Sequence, residues 1–258
     1  MAESKRDWAR IVTWGAWLLG VGAVAAALVA AFGSAAEMWG FRAGLTSLRY
    51  LFWAAAAGAV LGLIGLVLAR RRAKLMLANL VALVVALGFV LYLGNLVRTA
   101  RSVPAIHDVA TNLDDLPQFT RLEVRADNLE KIPDEGKAEL KPLPPEERWK
   151  AVHRAHYGDL RTVRVATPPV ETVRRAAALA RDRGWEIALV DEAAGTLEAT
   201  ETSRFFRFKD DVVVRVRPAP GGGSLVDMRS ISRVGASDVG VNAERVRRFL
   251  ADLAAPAS

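Results

Sequence analysis

The sequence predicts a membrane α-helical region of three transmembrane helices followed by a C-terminal α+β domain, in which two main helices pack on an antiparallel sheet. Three long runs without charge, in residues 11–36, 50–69 and 75–97, predict the membrane helices. Beyond them, strand and helix periodicities follow one another as strand, helix, a series of strands and a final helix. Consecutive strands favour antiparallel pairing, so the second part is predicted to be α+β.

Each uncharged run is long enough to cross a membrane, which takes about 20 helical residues. We place the spans at about residues 11–33, 50–69 and 75–97, within a membrane region of residues 1–97. Such continuous runs do not alternate as barrel strands do, so helices are predicted. The first run is not expected to be a signal peptide, because it exceeds the usual apolar length of a signal and two more spans follow.

The formal net charge of +7 is concentrated in the membrane region. Residues 1–97 carry a net charge of +6, and residues 98–258 carry +1. A nucleic-acid-binding domain needs a basic face, so this nearly neutral domain is not expected to bind nucleic acid. The chain has no cysteine, which excludes disulfides, thiolate catalysis and zinc held by cysteines.

Lysine and arginine residues that flank the spans predict the orientation, because they accumulate on the cytoplasmic side. The N-terminal tail and the turn after the second span must share one side, and they hold seven such residues: Lys5, Arg6, Arg10, Arg70, Arg71, Arg72 and Lys74. The opposite side holds four: Arg42, Arg49, Arg98 and Arg101. We therefore expect a multi-pass protein of the bacterial inner membrane, with a cytoplasmic N-terminus, a periplasmic C-terminal domain and the lipid bilayer as its surroundings.

Small residues recur every four positions on the first two spans, in the rows Gly22, Ala26, Ala30 and Ala54, Gly58, Gly62. Such rows let helices approach closely, either within a compact three-helix bundle or at a docking face for another membrane subunit. No ionisable residue lies inside a span. A proton path, an ion pore or a transporter is therefore not expected.

The folded part begins with an irregular segment. Residues 98–150 are rich in proline yet contain too many apolar residues for a solvated linker, so we expect them to pack on the α+β domain of residues 151–258. Residues 145–156 are predicted to form a short helix with proline in its first turn.

Periodicity predicts the remaining elements in order. Strands are expected at residues 161–166 and 185–189, with a helix from Pro168 to Gly184 between them, and extended chain at residues 196–208. Residues 209–211 resemble a turn. Residues 212–217 and 225–233 flank a glycine-rich hairpin, which would place Arg215 opposite Asp227 as a cross-strand ion pair.

The last helix shows apolar spacing at Val246, Phe249, Leu250 and Leu253, and Asn242 is positioned to cap it.

Histidines and carboxylates provide the first candidate chemistry. His153 and His156 lie three apart on a predicted helix, and His107-Asp108 offers another imidazole and carboxylate. Nothing in the sequence brings them together, so neither a metal nor a cofactor is predicted. The doublets Asp114-Asp115 and Asp210-Asp211 are not acid–base dyads, because adjacent residues of an extended chain point in opposite directions. Turn chemistry is the favoured interpretation of both doublets.

Residues 228–242, which we call the strand-to-helix motif, concentrate polar groups where a strand passes into a helix. Backbone N–H groups at a helix start favour anions, so Arg229, Arg233, Ser237, Asp238 and Asn242 could bind a small anionic ligand. Alternatively, Asp238 or Asn242 caps the helix while the arginines pair with nearby acids.

Several ordered segments resemble the family known as domain of unknown function 1499. They are PAIHDVAT at 104–111, LPQF at 116–119, FRFKDDVVVR at 206–215 and RSISRVGASDVGVN at 229–242. The resemblance covers residues 103–253 and implies a family of bacteria and plastids, some of whose members carry N-terminal spans. It implies no activity. It marks nine candidate ligand-binding positions: His107, Asp108, Asp210, Asp211, Arg229, Ser230, Arg233, Asp238 and Asn242.

Three functions remain open. The first is a non-catalytic, membrane-anchored module that binds a membrane or periplasmic protein partner or supports an envelope complex. The second is a small anionic ligand-binding or enzymatic domain that uses the strand-to-helix motif. The third is handling of lipids or envelope precursors. No catalytic residue is predicted, which favours a role other than an enzyme.

Overall fold

A computed structural model describes residues 7–255. Lys5 and Arg6, which contribute to the predicted orientation, lie outside the described residues. The chain forms two compact units. One holds the residues up to Arg98 together with Arg204–Arg207, and the other runs from Thr99 to Ser203 and from Phe208 onwards.

Among the described residues, three helices are long and apolar enough to cross a membrane: Trp8–Ala35, Phe41–Leu68 and Ala73–Ser102, of 28, 28 and 30 residues. The first comprises α1 (Trp8–Ala16), a π-helical turn (Trp17–Val21) and α2 (Gly22–Ala35). The others are α3 (Phe41–Leu68) and α4 (Ala73–Ser102). Each exceeds the roughly 20 residues that a span requires, so the predicted membrane helices are confirmed.

Glycines set the close approach of these helices. A Cβ on Gly58 would lie 2.4 Å from the Gly20 backbone nitrogen, and one on Gly62 would lie 3.1 Å from Leu83 Cβ. Gly58 and Gly62 of the second small-residue row are therefore used inside the bundle, as compact packing requires. Ala26 of the first row is exposed.

One buried amide links the first and third spans. Asn79 Nδ2 donates to Thr13 Oγ1 at 2.8 Å and to the Leu75 carbonyl at 2.8 Å. Gly65 provides the space, because a Cβ there would lie 2.0 Å from Asn79 Oδ1. A hydrogen bond between spans holds the helices together where no water competes for it.

The second unit is a six-stranded antiparallel sheet with helices, which confirms the predicted α+β class. The sheet order is β1-β6-β5-β4-β3, and β2 also pairs with β6. The strands are β1 (Asp108–Ala110), β2 (Val163–Val165), β3 (Glu186–Asp191), β4 (Thr196–Thr202), β5 (Lys209–Pro218) and β6 (Ser224–Ser232). The helices are α5 (Pro145–Tyr157), α6 (Pro169–Asp182) and α7 (Val241–Ala254).

The core lies between the helices and one face of the sheet. Val246, Phe249, Leu250 and Leu253 are buried, as their helical spacing predicts. Trp185 stacks on the Phe249 ring with centroids 5.1 Å apart. Between β1 and α5 the described chain forms one 3-10 turn, Ala138–Leu140, and contributes buried apolar residues to the same core.

Three local predictions are wrong. Residues 209–211 are not a turn but the start of β5, where the buried carboxylates of Asp210 and Asp211 pair with arginines. Residues 203–208 are not extended as predicted but form the turn, where the Ser203 N–H donates to the Phe208 carbonyl at 2.8 Å. Asn242 does not cap α7: Gly240, with φ of 81°, precedes the helix, and the Asn242 side chain points inwards.

The sequence interpretation also missed β1, a three-residue strand too short to show a period.

Candidate functional site

A buried ion pair joins β1 to β6. Arg229 donates from Nε to Asp108 Oδ1 at 2.9 Å and from Nη2 to Oδ2 at 2.7 Å. Asn128 donates to the same carboxylate at 2.7 Å, and its Oδ1 lies 3.1 Å from His107 Nε2. Burial opposes the charge of Arg229, but the hydrogen bonds and charge of Asp108 outweigh it and raise the Arg229 pKa. Arg229 therefore stays charged inside the domain.

A second polar cluster surrounds Asn242 in the first turn of α7. Asn242 Oδ1 accepts from Ser230 Oγ at 2.7 Å, and Nδ2 donates to the His107 carbonyl at 2.9 Å. Arg245, one turn further, bonds Asn242 and Ser230 and donates to Asp210 Oδ2 at 2.6 Å. Because Asp210 lies on β5 and Ser230 on β6, these bonds fasten the start of α7 to the sheet.

Asp238 and Arg233 occupy the rest of the strand-to-helix motif. Asp238 accepts from the N–H groups of Gly240 at 2.9 Å and Asn242 at 2.7 Å, so it satisfies donors that a helix start leaves free. Burial raises the pKa of the Asp238 carboxyl. Arg233 holds Asp211 through Nε at 2.8 Å and Nη2 at 2.9 Å.

All nine predicted ligand-binding side chains thus bond to other groups of the domain. Seven join one linked network, and Asp211 with Arg233 forms a separate ion pair. These contacts agree with the structural alternative, in which an acid satisfies the helix start and arginines pair with acids. A ligand-binding role for the nine side chains stays a prediction.

The three histidines do not converge. His107 lies against Asn128, and His153 Nε2 accepts from the Ala110 N–H at 3.2 Å. His156 Nε2 lies 2.6 Å from Glu135 Oε1. Within residues 7–255, no group of three or more histidine, aspartate or glutamate residues is placed to hold a metal ion.

The buried Asp227 carboxylate has more hydrogen-bond partners than the sequence predicted. The predicted pair with Arg215 is present at 3.0 Å, and Arg217 donates to the same oxygen at 2.6 Å. The other oxygen accepts from Thr162 at 2.6 Å and Thr111 at 3.2 Å. The two threonines come from elements far away in the sequence, so nothing near the hairpin signals them.

Glu198 was missed altogether. It lies on the opposite face of β4 from the core residues Leu197 and Ala199, where alternation predicts solvent. Instead its side chain is fully buried and accepts from the N–H groups of three successive residues, Thr120, Arg121 and Leu122. This carboxylate anchors the irregular segment to the sheet.

A cavity of about 760 Å³ opens where the strand-to-helix motif enters α7. Its lining residues are Thr99, Val103, Tyr157, Arg183, Trp185, Glu201, Val239, Gly240, Val241, Glu244, Arg245, Arg247 and Arg248. The volume falls within the range of small-molecule sites, roughly 300–1,000 Å³. We call this space the α7 cavity. The motif therefore contributes its backbone and apolar side chains to a concave surface.

The Tyr157 hydroxyl is an unusual feature of the α7 cavity. The side chain is buried, and its oxygen has no hydrogen-bond partner among the described residues. A Cβ on Gly240 would lie 3.8 Å from this oxygen, so the hydroxyl lies next to a residue that lines the cavity. Burial raises the pKa of Tyr157 to about 12, so the group stays protonated. An unpaired buried hydroxyl costs about 1–3 kcal/mol, which a bound acceptor offsets.

The same wall holds a backbone in an unfavourable conformation. Val239 has φ of 57° and Gly240 has φ of 81°. Positive φ is rare for a β-branched residue, and such strain concentrates at functional sites.

A smaller cavity of about 450 Å³ has a more polar lining, including Thr111, Asn112, Arg154 and His153. Because His153 Nε2 accepts a hydrogen bond from Ala110, Nδ1 carries the proton of the neutral ring, and Nδ1 has no partner among the described residues. Burial lowers the pKa of His153 to about 4.

Residues 108–253 match the family model described as Protein of unknown function (DUF1499). The match covers more than half of the chain. The chain belongs to the DUF1499 family. No curated protein matches the chain.

The DUF1499 match begins at Asp108, so it includes every predicted ligand-binding residue except His107. It also includes Tyr157 and the Val239–Gly240 wall of the α7 cavity. Of the lining residues, Thr99 and Val103 lie before the match. The DUF1499 segment thus carries both the internal polar network and most of the concave surface.

Proposed function

We propose that this protein is a multi-pass protein of the bacterial inner membrane whose DUF1499 domain lies on the extracytoplasmic side and binds a ligand without catalysis. The observation that carries the proposal is the Tyr157 hydroxyl, buried and unpaired at the wall of the α7 cavity. Buried polar groups are normally paired, so an unpaired one at a cavity wall marks a place for a ligand atom.

Two further observations support binding over catalysis. The polar side chains of the strand-to-helix motif are committed to other groups of the domain, as Arg229 is to Asp108. Among the described residues, no histidine lines the α7 cavity, and its carboxylates, Glu201 and Glu244, each pair with an arginine. This arrangement offers recognition groups and no nucleophile with an adjacent base.

The orientation rests on the excess of lysine and arginine around the N-terminal tail and the turn after α3. Fusions after Ser258 test it directly. We expect activity from a reporter that works only outside the cytoplasm and no signal from one that works only inside. Signal from the cytoplasmic reporter would overturn the proposed side.

Binding is tested by native mass spectrometry of the full-length protein extracted gently from its own membrane. We expect a protein ion with a small bound mass. Val241→Trp should remove that mass, because Val241 lines the α7 cavity, is 51% exposed and begins α7, so tryptophan can fill the space without entering the core. Val170→Trp is the matched control, since Val170 is 42% exposed near the start of α6.

A protein partner without any bound small mass would overturn the ligand-binding proposal. It would favour the anchored module that serves a protein complex. Loss of the small mass in both tryptophan variants would also count against the α7 cavity as its location.

A further inference from the structure

We propose that the α7 cavity binds an amphiphile: an apolar chain along its walls, an oxygen acceptor on the Tyr157 hydroxyl and an acidic headgroup at Arg248. This inference rests on the proposed function and names the class of ligand. A membrane lipid and a free fatty acid share this chemistry, and the mass of the natural ligand distinguishes them.

The apolar chain is assigned from the walls. Val103, Trp185, Val239 and Val241 line the α7 cavity. Val103 covers the inner wall, because a Cβ on Gly240 would lie 3.2 Å from its Cγ1. An elongated apolar group removes these side chains from water, which is the main driving force for binding a hydrocarbon chain.

The oxygen acceptor is assigned from Tyr157. Its side chain is 4% exposed, and the hydroxyl lies beside Val103 and Gly240 at the cavity wall. A protonated phenol can donate to a carbonyl, ester or phosphate oxygen. A purely hydrocarbon ligand would leave the hydroxyl unpaired, so the ligand is expected to carry oxygen close to its chain.

The acidic headgroup is assigned from the arginines. Arg247 is held by Asp159 through two nitrogens. Arg183 pairs with Asp252, and its guanidinium lies over the Phe249 ring, 5.1 Å from the centroid. Arg245 is fully engaged in the domain interior. Arg248 pairs with Glu244 through Nε alone, and its side chain is 73% exposed. Its terminal nitrogens therefore remain available to an anion, and hydrogen bonds between charged groups are the strong ones.

The test uses full-length protein in an amphipol and three probes: dodecyl phosphate, dodecanol and inorganic phosphate. We expect dodecyl phosphate to bind at least about tenfold more tightly than dodecanol, because it adds a charge-assisted hydrogen bond. Inorganic phosphate alone should not bind measurably. Equal affinity for the phosphate and the alcohol, or binding of inorganic phosphate alone, would overturn the assignment.

Three variants locate the probe. Val241→Trp should abolish binding of dodecyl phosphate, with Val170→Trp as the control that leaves it unchanged. Arg248→Gln should remove the preference over dodecanol. Tyr157→Phe should weaken binding about fivefold, as loss of one hydrogen bond implies, while the free protein becomes no less stable. A Tyr157→Phe protein that unfolds at lower temperature would show that the hydroxyl is structural and overturn its assignment.

The mass of the bound natural ligand distinguishes a membrane lipid from a free fatty acid. A bound mass that matches a phospholipid identifies the membrane lipid, and one that matches a fatty acid identifies the free acid. A hydrophilic mass that Val241→Trp displaces, together with no binding of dodecyl phosphate, would leave the proposed function standing and overturn the amphiphile. Absence of any bound mass and of any probe binding would overturn both.

Discussion

Arg229 donates hydrogen bonds to both carboxylate oxygens of Asp108, at 2.9 and 2.7 Å, although the two residues are 121 positions apart in sequence. Both side chains are buried, and the Arg229 guanidinium also lies over the Phe119 ring, 5.8 Å from its centroid. The pair connects β1, which begins the DUF1499 segment, to the central strand β6. A charge buried in this way depends on its partner, which makes the pair a sensitive test of the domain's polar interior.

Asp108→Asn should destabilise the protein by about 3–5 kcal/mol, because it leaves Arg229 buried without its counter-charge. Chemical unfolding of the full-length protein measures the change. Asp114→Asn is the control, since Asp114 pairs with Arg154 on the exposed surface and such pairs contribute little. Equal effects of the two substitutions would contradict the importance of the buried pair.

Glu198→Gln should loosen the irregular segment before β2. The carboxylate accepts from the N–H groups of Thr120, Arg121 and Leu122, and an amide would turn a donor towards them. We expect a loss of roughly 1.5–3 kcal/mol, as for a hydrogen bond to a charged group. Hydrogen exchange should show the largest acceleration at residues 120–122. Uniform acceleration over the whole domain would refute the anchoring role.

Gly65→Ala should disturb the membrane bundle. Its Cβ would lie 2.0 Å from Asn79 Oδ1, so the amide must move and lose its bond to Thr13. We expect a loss of roughly 1–3 kcal/mol, typical of overpacking, seen as a lower unfolding temperature in detergent. Adding Asn79→Ala should restore part of the loss. Gly88→Ala is the control, because nothing lies within 4 Å of its added Cβ.

Because His153 is buried as a neutral ring, the domain should be less stable in mild acid. Burial lowers the pKa of the folded histidine to about 4, against about 6.5 in the unfolded chain. Between these pH values the unfolded chain binds the proton and the folded protein does not, so stability falls as the pH falls from about 6.5 towards 4. The shift corresponds to about 2–4 kcal/mol.

The check is the unfolding temperature against pH for His153→Gln and for the original protein. The difference isolates His153 from other groups, such as Asp238, whose raised pKa acts in the opposite direction. His156→Gln, which alters a half-exposed histidine beside Glu135, serves as the control. Parallel curves for the original protein and His153→Gln would contradict the prediction.

Local patterns predicted much of this architecture because apolar periodicity is a property of neighbouring residues. Uncharged runs long enough to span a membrane marked the three spans, and the spacing from Val246 to Leu253 marked α7. The hairpin register placed Arg215 opposite Asp227 because turn residues determine how two flanking strands pair. The ordered motifs also indicated the DUF1499 family, which the family match shows.

Such patterns could not predict which polar groups pair with each other, because the two partners come from elements that lie far apart in the chain. The pair Asp210-Asp211 is typical of a turn, yet both residues lie in β5, where their carboxylates bind Arg245 and Arg233. Glu198 occupied a position where alternation predicted solvent, and only the covering segment at residues 120–122 made it buried.

Apolar patterns in the sequence were enough to predict the spans and the α+β class, since burial of apolar surface follows a period of two or 3.6 residues. Ordered motifs indicated the family. The tertiary fold, in contrast, determines which polar groups are paired. It committed the strand-to-helix motif to internal bonds and left Tyr157 unpaired at a cavity wall. A hydrogen bond requires two groups within about 3 Å, and only folding brings residues that are distant in sequence so close together.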